Sequence, residues 1–127
     1  MGGMCLETWS ATQKVVARSS GEAELYAAVR GAAEGLGLRS MAKDLGWYWS
    51  VRVWTDSSAC KGTCSRQGLG RVKHLEGEDF WIQDAVKHEK IALCKVAGQC
   101  NPADLMTKYL SRAAIDKHMA YLAIFDA

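Results

Sequence analysis

The chain has 127 residues and a mass of 13.9 kDa, which is the size of one domain. Apolar residues make up 49% and charged residues 24% of the sequence, which is ordinary for a globular protein, and a single proline argues against a long disordered linker. The sequence has 16 basic and 14 acidic residues, so its net charge is only +2. Any contact with nucleic acid must therefore come from a local basic patch and not from an overall basic field.

We expect neither a membrane segment nor secretion. The longest apolar run, residues 119–125, is far below the roughly 20 residues that a membrane-spanning helix needs, and the N-terminus has no basic region followed by an apolar stretch. The five cysteines form no Cys-x-x-Cys pair, which argues against structural zinc, and their odd number argues against a disulfide framework. The sequence thus indicates an intracellular protein, in the cytoplasm or the nucleus, with no membrane partner.

The first well-defined element is a long helix. Residues 4–18, which precede it, indicate an extended segment with apolar residues around a polar centre. Ser19 and Glu22 have the spacing of a capping box, and apolar residues then recur at helical intervals. The pattern predicts a helix from there to Leu45, with Gly46 as its stop signal.

Small residues form one stripe along this helix. Ala28, Gly31 and Gly35 fall on the same face as Glu24. Glycine lowers helix stability by up to ~1 kcal/mol relative to alanine, so such a stripe indicates a role in packing. We expect this face to pack closely against a sheet, with Glu24 at the top of the stripe.

The rest of the chain alternates strands and helices, which predicts an α/β fold. Residues 51–55 are β-branched, aromatic and alternating, as in a strand, and Asp56 ends it where Ser57 can begin a helix. Asn101 as N-cap and Pro102 as first helical residue indicate a further helix start. The remaining predicted elements are a loop or frayed helix end over residues 62–73, a helix over 75–89, a strand over 91–96, a turn over 98–100, and helices over 102–110 and 112–125.

Three carboxylates, Glu24, Asp56 and Asp104, stand at the ends of predicted elements. The carboxyl edge of a sheet is where α/β proteins bind ligands, and carboxylates that converge there suit hard cations such as Mg²⁺. A purely structural explanation stands beside this one. Acidic residues in a first helical turn complement the helix dipole, and an aspartate before two serines is common in turns.

Four segments of the sequence carry a further signal because of their order and spacing. They are WSATQKVVA with SSGEAELY (residues 9–17 and 19–26), VWTDSSA (53–59), KHL (73–75) and NPADLMTK (101–108). Together they resemble the ribonuclease H domain of copia-type LTR retrotransposon polyproteins, with the N-terminal part of that domain truncated. The resemblance spans about residues 3–110, and the predicted C-terminal helix within 111–127 lies outside it.

The resemblance implies a ribonuclease H-like fold for the single domain 1–127, with a mixed sheet flanked by helices. It implies an endonuclease that hydrolyses the RNA strand of RNA–DNA hybrids by two-metal-ion catalysis with Mg²⁺, for which Mn²⁺ can substitute. Glu24, Asp56 and Asp104 match the family's metal-binding and catalytic carboxylates. Glu22 stays a capping residue. In the family this domain follows the reverse transcriptase of the same polyprotein, which is therefore a further expected partner.

Basic residues are expected to hold the hybrid through its phosphates. The hybrid would be recognised by its shape and its 2′-hydroxyl groups, with no sequence specificity. The residues predicted to bind nucleic acid are Lys61, Arg66, Arg71, Lys73 and His74.

The sequence departs from the family at its start. The family's first two strands and the first of its four catalytic carboxylates have no counterpart before residues 1–3, and the only acidic residue before Glu22 is Glu7. Residues 4–18 would then lose a neighbour and expose an unpaired sheet edge. Two alternatives to the nuclease therefore stay open: a catalytically incomplete nucleic-acid-binding remnant, and an interaction domain that forms a homodimer through this edge.

Overall fold

The structure, a computed structural model, describes residues 5–14, 16–66 and 77–122, except for the side chains of 77–79. The chain divides into two compact units, one formed by residues 13–96 and the other by residues 1–12 together with 97–127. The prediction that 1–127 is a single domain stays a prediction. Within the described residues, no helix is both long and apolar enough to span a membrane.

Helix α1 (Ser20–Asp44), in the first unit, begins at the capping box that the sequence predicts. The Ser19 hydroxyl accepts a hydrogen bond from the backbone N–H of Glu22 at 3.2 Å. The Glu22 carboxylate in turn accepts one from the N–H of Arg18 at 3.1 Å, one residue before the N-cap. The box therefore satisfies one donor of the first helical turn and one donor just outside it.

Gly46 ends α1 as predicted, with a positive φ of 85°. Its N–H donates to the Lys43 carbonyl at 2.9 Å, and the N–H of Trp47 donates to the Ala42 carbonyl at 2.8 Å. This is the Schellman arrangement, in which a left-handed residue, most often glycine, satisfies the last helical carbonyls. Both predicted ends of the long helix are confirmed.

The sheet of the first unit has two parallel strands, β1 (Arg52–Thr55) and β2 (Ala92–Lys95). Thr55 lies opposite Lys95 in the register. Parallel neighbours need a crossover connection, and the described residues between the two strands include two helices. The two predicted strands and the α/β class are confirmed. The mixed sheet of the ribonuclease H fold stays a prediction.

The crossover contains helices α2 (Ser58–Ser65) and α3 (Gly77–Lys87). The Ser57 hydroxyl caps α2 by accepting from the N–H of Cys60 at 3.1 Å, as the sequence suggests. The predicted loop or frayed helix end over 62–73 is regular helix as far as Ser65, because this side of α2 packs into the core. Residues 67–76 lie outside the described part of the chain.

One apolar core joins helices α1, α2 and α3. A Cβ atom at Gly35 would lie 2.8 Å from Cγ1 of Val51, the residue before β1, so only glycine allows this approach. The predicted packing of the small-residue stripe is confirmed at Gly35, whereas a Cβ at Gly31 would meet nothing within 4 Å. The buried core residues are Leu25, Ala28, Ala32, Cys60, Cys64, Ile82, Ala85 and Ile91.

The other unit contains one regular helix, α4 (Arg112–Tyr121), among its described residues. Short 3-10 helices span Gly98–Cys100 and Pro102–Asp104. The predicted helix over 102–110 is wrong beyond Asp104, since Met106 has a positive φ of 66°. The reason is burial: Met106 and Tyr109 are fully exposed, and a short helix without a packed apolar face is unstable.

The segment before α1 forms neither helix nor strand in the residues that are described, 5–14 and 16–18. The predicted extended segment therefore has no strand ladder there. Inside the first unit, this segment contacts α1 through the Gln13 side-chain amide, which donates to the Ala23 carbonyl at 2.8 Å, and through the Arg18 N–H, which donates to the Glu22 carboxylate. The C-terminal helix predicted over 112–125 is confirmed to Tyr121, and residues 123–125 lie outside the described part of the chain.

Candidate active site

Asp56 lies where the chain leaves β1 and enters α2. The N–H of Ser57 donates to the Thr55 hydroxyl at 3.1 Å, which turns the chain directly from the strand into the helix. Asp56 is half-buried in this turn. The sequence therefore folds locally to hold a carboxylate at the carboxyl end of the sheet, where α/β proteins bind ligands.

Glu24 lies beside the beginning of α2. A Cβ at Gly21, in the first turn of α1, would lie 3.4 Å from the Cβ of Ala59, so the first turns of the two helices are in contact. The Cys60 thiol donates to the Glu24 carbonyl at 3.7 Å. These contacts place Glu24 next to the helix that Asp56 precedes.

Cys60 is a buried residue of α2 that contacts α1. Its side chain is fully buried. The Cys64 side chain lowers the pKa of the Cys60 thiol by hydrogen bonding, and the Thr55 side chain does the same, while burial and the nearby Glu24 carboxylate act in the opposite direction. The net effect is a lowered pKa of the Cys60 thiol.

Glu22 and Glu24 have different surroundings. Glu22 is 5% exposed and accepts from the Tyr26 hydroxyl at 2.6 Å as well as from the Arg18 N–H. Glu24 is exposed, and within residues 5–14, 16–66 and 77–122 its carboxylate accepts no hydrogen bond and forms no ion pair; the same is true of Asp56. Glu22 is therefore a structural residue, as predicted, and the Glu24 and Asp56 carboxylates are available to a ligand.

Asp104 belongs to the other unit and is paired. Its carboxylate is 15% exposed and forms an ion pair with Lys108 Nζ at 2.9 Å. The Thr107 hydroxyl donates to the Asp104 and Ala103 carbonyls at 3.1 and 3.2 Å, and the Asn101 side chain accepts from the N–H of Ala103 at 3.1 Å. An ion pair and side-chain hydrogen bonds within the segment NPADLMTK therefore stabilise its turn.

The predicted nucleic-acid-binding residues are described only in part. Lys61 is exposed on α2, and Arg66 is half-buried directly after that helix. Arg71, Lys73 and His74 lie outside the described residues.

The donor set of the first unit suits a hydrated Mg²⁺ ion. Glu24 and Asp56 offer only oxygen atoms, and Mg²⁺ keeps several waters while it binds one or two carboxylates. Among the residues that the structure describes, no three His, Cys, Asp or Glu side chains form a group that could hold a metal ion. The fit thus rests on a pair of carboxylates and not on a complete protein cage.

Lys95 also lies at the carboxyl edge of the sheet, and the sequence did not indicate it as a residue of the site. Lys95 is the last residue of β2, and its ammonium group donates a hydrogen bond to the Ser58 hydroxyl at the beginning of α2. The only available signal was its position at the end of a predicted strand, since the partner is 37 residues away in the sequence.

A comparison with known proteins finds a similar retrotransposon polyprotein. The chain is 30% identical over 112 residues to the Retrovirus-related Pol polyprotein from transposon TNT 1-94 of Nicotiana tabacum. This similarity supports a retrotransposon origin. It covers 87% of the chain but only 8% of the polyprotein, so the chain corresponds to a small part of that relative. No family model and no solved structure matches the chain.

Proposed function

We propose that this chain is a ribonuclease H-type endonuclease domain of a retrotransposon polyprotein, which hydrolyses the RNA strand of RNA–DNA hybrids. The observation that carries the proposal is the pair Glu24 and Asp56. Both carboxylates lack protein partners among the described residues, and they stand on contacting elements at the carboxyl edge of the sheet. Glu24 is the second glutamate of the segment SSGEAELY and Asp56 is the aspartate of VWTDSSA, two of the segments that carry the resemblance.

In this proposal Glu24 and Asp56 hold Mg²⁺, and the resemblance adds Asp104 as a third carboxylate. Bound Mg²⁺ ions supply a more acidic attacking water and neutralise charge that develops on the leaving oxygen. The turn from β1 into α2 keeps Asp56 in place, because Thr55 and Ser57 fix its backbone on both sides. Lys61 and Arg66, on and after α2, are suited to bind phosphates of the hybrid.

The test is cleavage of a labelled RNA–DNA hybrid in Mg²⁺, with EDTA as the metal-free control. We expect Asp56→Asn to abolish cleavage, because it removes a ligand charge without changing the size of the side chain. Asp44→Asn is the matched control, since Asp44 is exposed at the far end of α1 and should leave cleavage unchanged. Full activity of Asp56→Asn would overturn the assignment.

Two other outcomes would identify the alternatives. Salt-sensitive hybrid binding without cleavage by the unmodified chain would indicate a nucleic-acid-binding remnant. A concentration-dependent homodimer in light scattering, without hybrid binding in a gel shift, would indicate an interaction domain. The reverse transcriptase region of the same polyprotein is the protein partner that the nuclease proposal predicts.

A further inference from the structure

Lys95 lies one strand away from the candidate active site. It is opposite Thr55 in the parallel register, and neighbouring strands are about 4.8 Å apart. The N–H of Val96 donates to the Thr55 carbonyl at 3.0 Å, so the pairing continues to the point where β1 ends and Asp56 begins. The backbone of Lys95 is therefore fixed beside the residue that precedes Asp56.

The side chain of Lys95 is directed by Ser58. Its ammonium group donates to the Ser58 hydroxyl, and Ser58 is two residues after Asp56 in the first turn of α2. Among the described residues this is the only hydrogen bond of the ammonium group, and no carboxylate there lies within 4.0 Å of it. A lysine ammonium has three N–H donors, so two of them stay available on an exposed side chain.

This arrangement is suited to an anion and not to structural support. Lys95 is held by the neutral Ser58 hydroxyl, and among the described residues no carboxylate lies within 4.0 Å of its ammonium group to balance its charge. Lys61 follows Ser58 by three residues on α2, a spacing that puts both residues on one side of that helix. A cationic strip defined by Lys95 and Lys61 thus begins next to Asp56.

We propose that Lys95, positioned by Ser58, binds a backbone phosphate of the nucleic acid next to the phosphodiester at Asp56. This inference rests on the proposed function, because it names a further substrate contact of the same edge. Lys95 is a substrate-binding residue and Ser58 a positioning residue. The ligand class is the phosphodiester backbone, which is recognised by charge and without base specificity.

The test measures binding of a fluorescent RNA–DNA hybrid by anisotropy in EDTA, across a series of salt concentrations. We expect Lys95→Ala to weaken binding about tenfold at low salt and to lower the slope of log K against log[salt] by about 1, because one phosphate contact is lost. Lys90→Ala is the matched control. Lys90 is an exposed lysine just before the opposite end of β2, and this variant should bind like the unmodified chain.

Two variants separate a positioning role from a general loss of charge or of folding. Ser58→Ala should weaken binding less than Lys95→Ala, and combining both substitutions should add nothing to the effect of Lys95→Ala alone. Lys95→Arg keeps the charge and should retain most of the affinity. Thermal melts should show the same folded state in all variants.

The outcomes are distinct from those of the nuclease test. An unchanged affinity and salt slope of Lys95→Ala would overturn the role of Lys95 even if the unmodified chain cleaves hybrids. Hybrid binding that depends on Lys95, without cleavage in Mg²⁺, would overturn the nuclease proposal and retain this one. Absence of hybrid binding by the unmodified chain would overturn both.

Discussion

Glu22 and Glu24 are two residues apart on α1 but have different roles. Their burial and their hydrogen-bond partners show that Glu22 is structural and leave Glu24 as a candidate metal ligand. Glu22 is enclosed by the Arg18 N–H and the Tyr26 hydroxyl. Glu24 is exposed, its backbone carbonyl accepts from the Cys60 thiol, and its carboxylate has no hydrogen-bond donor among the described residues. The motif SSGEAELY contains both acids, and the capping geometry decides which of them is available.

The two glutamates therefore have opposite expected phenotypes. We expect Glu22→Ala to lower the free energy of unfolding by about 1–3 kcal/mol, because the Tyr26 hydroxyl and the Arg18 N–H lose their acceptor in a partly buried place. Glu24→Ala should change stability by no more than about 0.5 kcal/mol, as is usual for an exposed position, and should lower hybrid cleavage.

Urea unfolding and the cleavage assay, run on both variants, check this pair of expectations. Each variant is the control of the other, because both replace a glutamate of the same helix by alanine and so change helix propensity equally. A strong loss of stability in Glu24→Ala would show that Glu24 supports the fold and would remove it from the candidate site.

At the scale of elements, the approach of α1 to the start of β1 depends on one glycine. Gly35 faces Val51 at a distance that leaves no room for a Cβ atom, whereas Gly31, one turn earlier, faces open space. Val51 has a β-branched side chain with little freedom to move away. The same residue type therefore has two different roles on one helix.

Alanine substitutions at these two glycines should change stability in opposite directions. Gly35→Ala should lower the free energy of unfolding by about 1–3 kcal/mol, because the new methyl group overlaps Val51. Gly31→Ala should raise it by up to about 1 kcal/mol, since alanine favours helix and meets no neighbour. Denaturant midpoints with unchanged slopes would establish both values. Stabilisation by Gly35→Ala would contradict the close contact.

At the scale of the whole molecule, the small net charge means that any recognition of nucleic acid must depend on a local basic patch. The net charge of +2 gives little long-range attraction for nucleic acid. Under the proposed function, unrelated RNA–DNA hybrids of equal length should be cleaved at similar rates in Mg²⁺, and duplex DNA should not be cleaved, because the substrate is recognised by shape and 2′-hydroxyl groups. Gel assays with matched hybrid and DNA duplexes test this expectation. Equal cleavage of both duplexes would contradict it.

Much of the local structure follows from short-range signals. Ser19, Ser57 and Gly46 mark helix ends that the structure confirms, because each acts on backbone groups within a few residues. The same kind of signal at Asn101 and Pro102 predicted too long a helix. A cap starts a helical turn, but continuation needs an apolar face with something to pack against, and the exposed residues after Asp104 have none.

The sequence by itself determined the helix caps, the two strands, the α/β class and the carboxylates Glu24 and Asp56 as candidates. Only the tertiary structure decided that the Cys60 thiol contacts the Glu24 carbonyl and that the Lys95 ammonium group contacts the Ser58 hydroxyl. The physical reason is distance along the chain. The residues of these contacts are 36 and 37 positions apart, and packing of α1 and β2 against α2 brings them together. Periodicity and capping act over a few residues and therefore contain no information about such pairs.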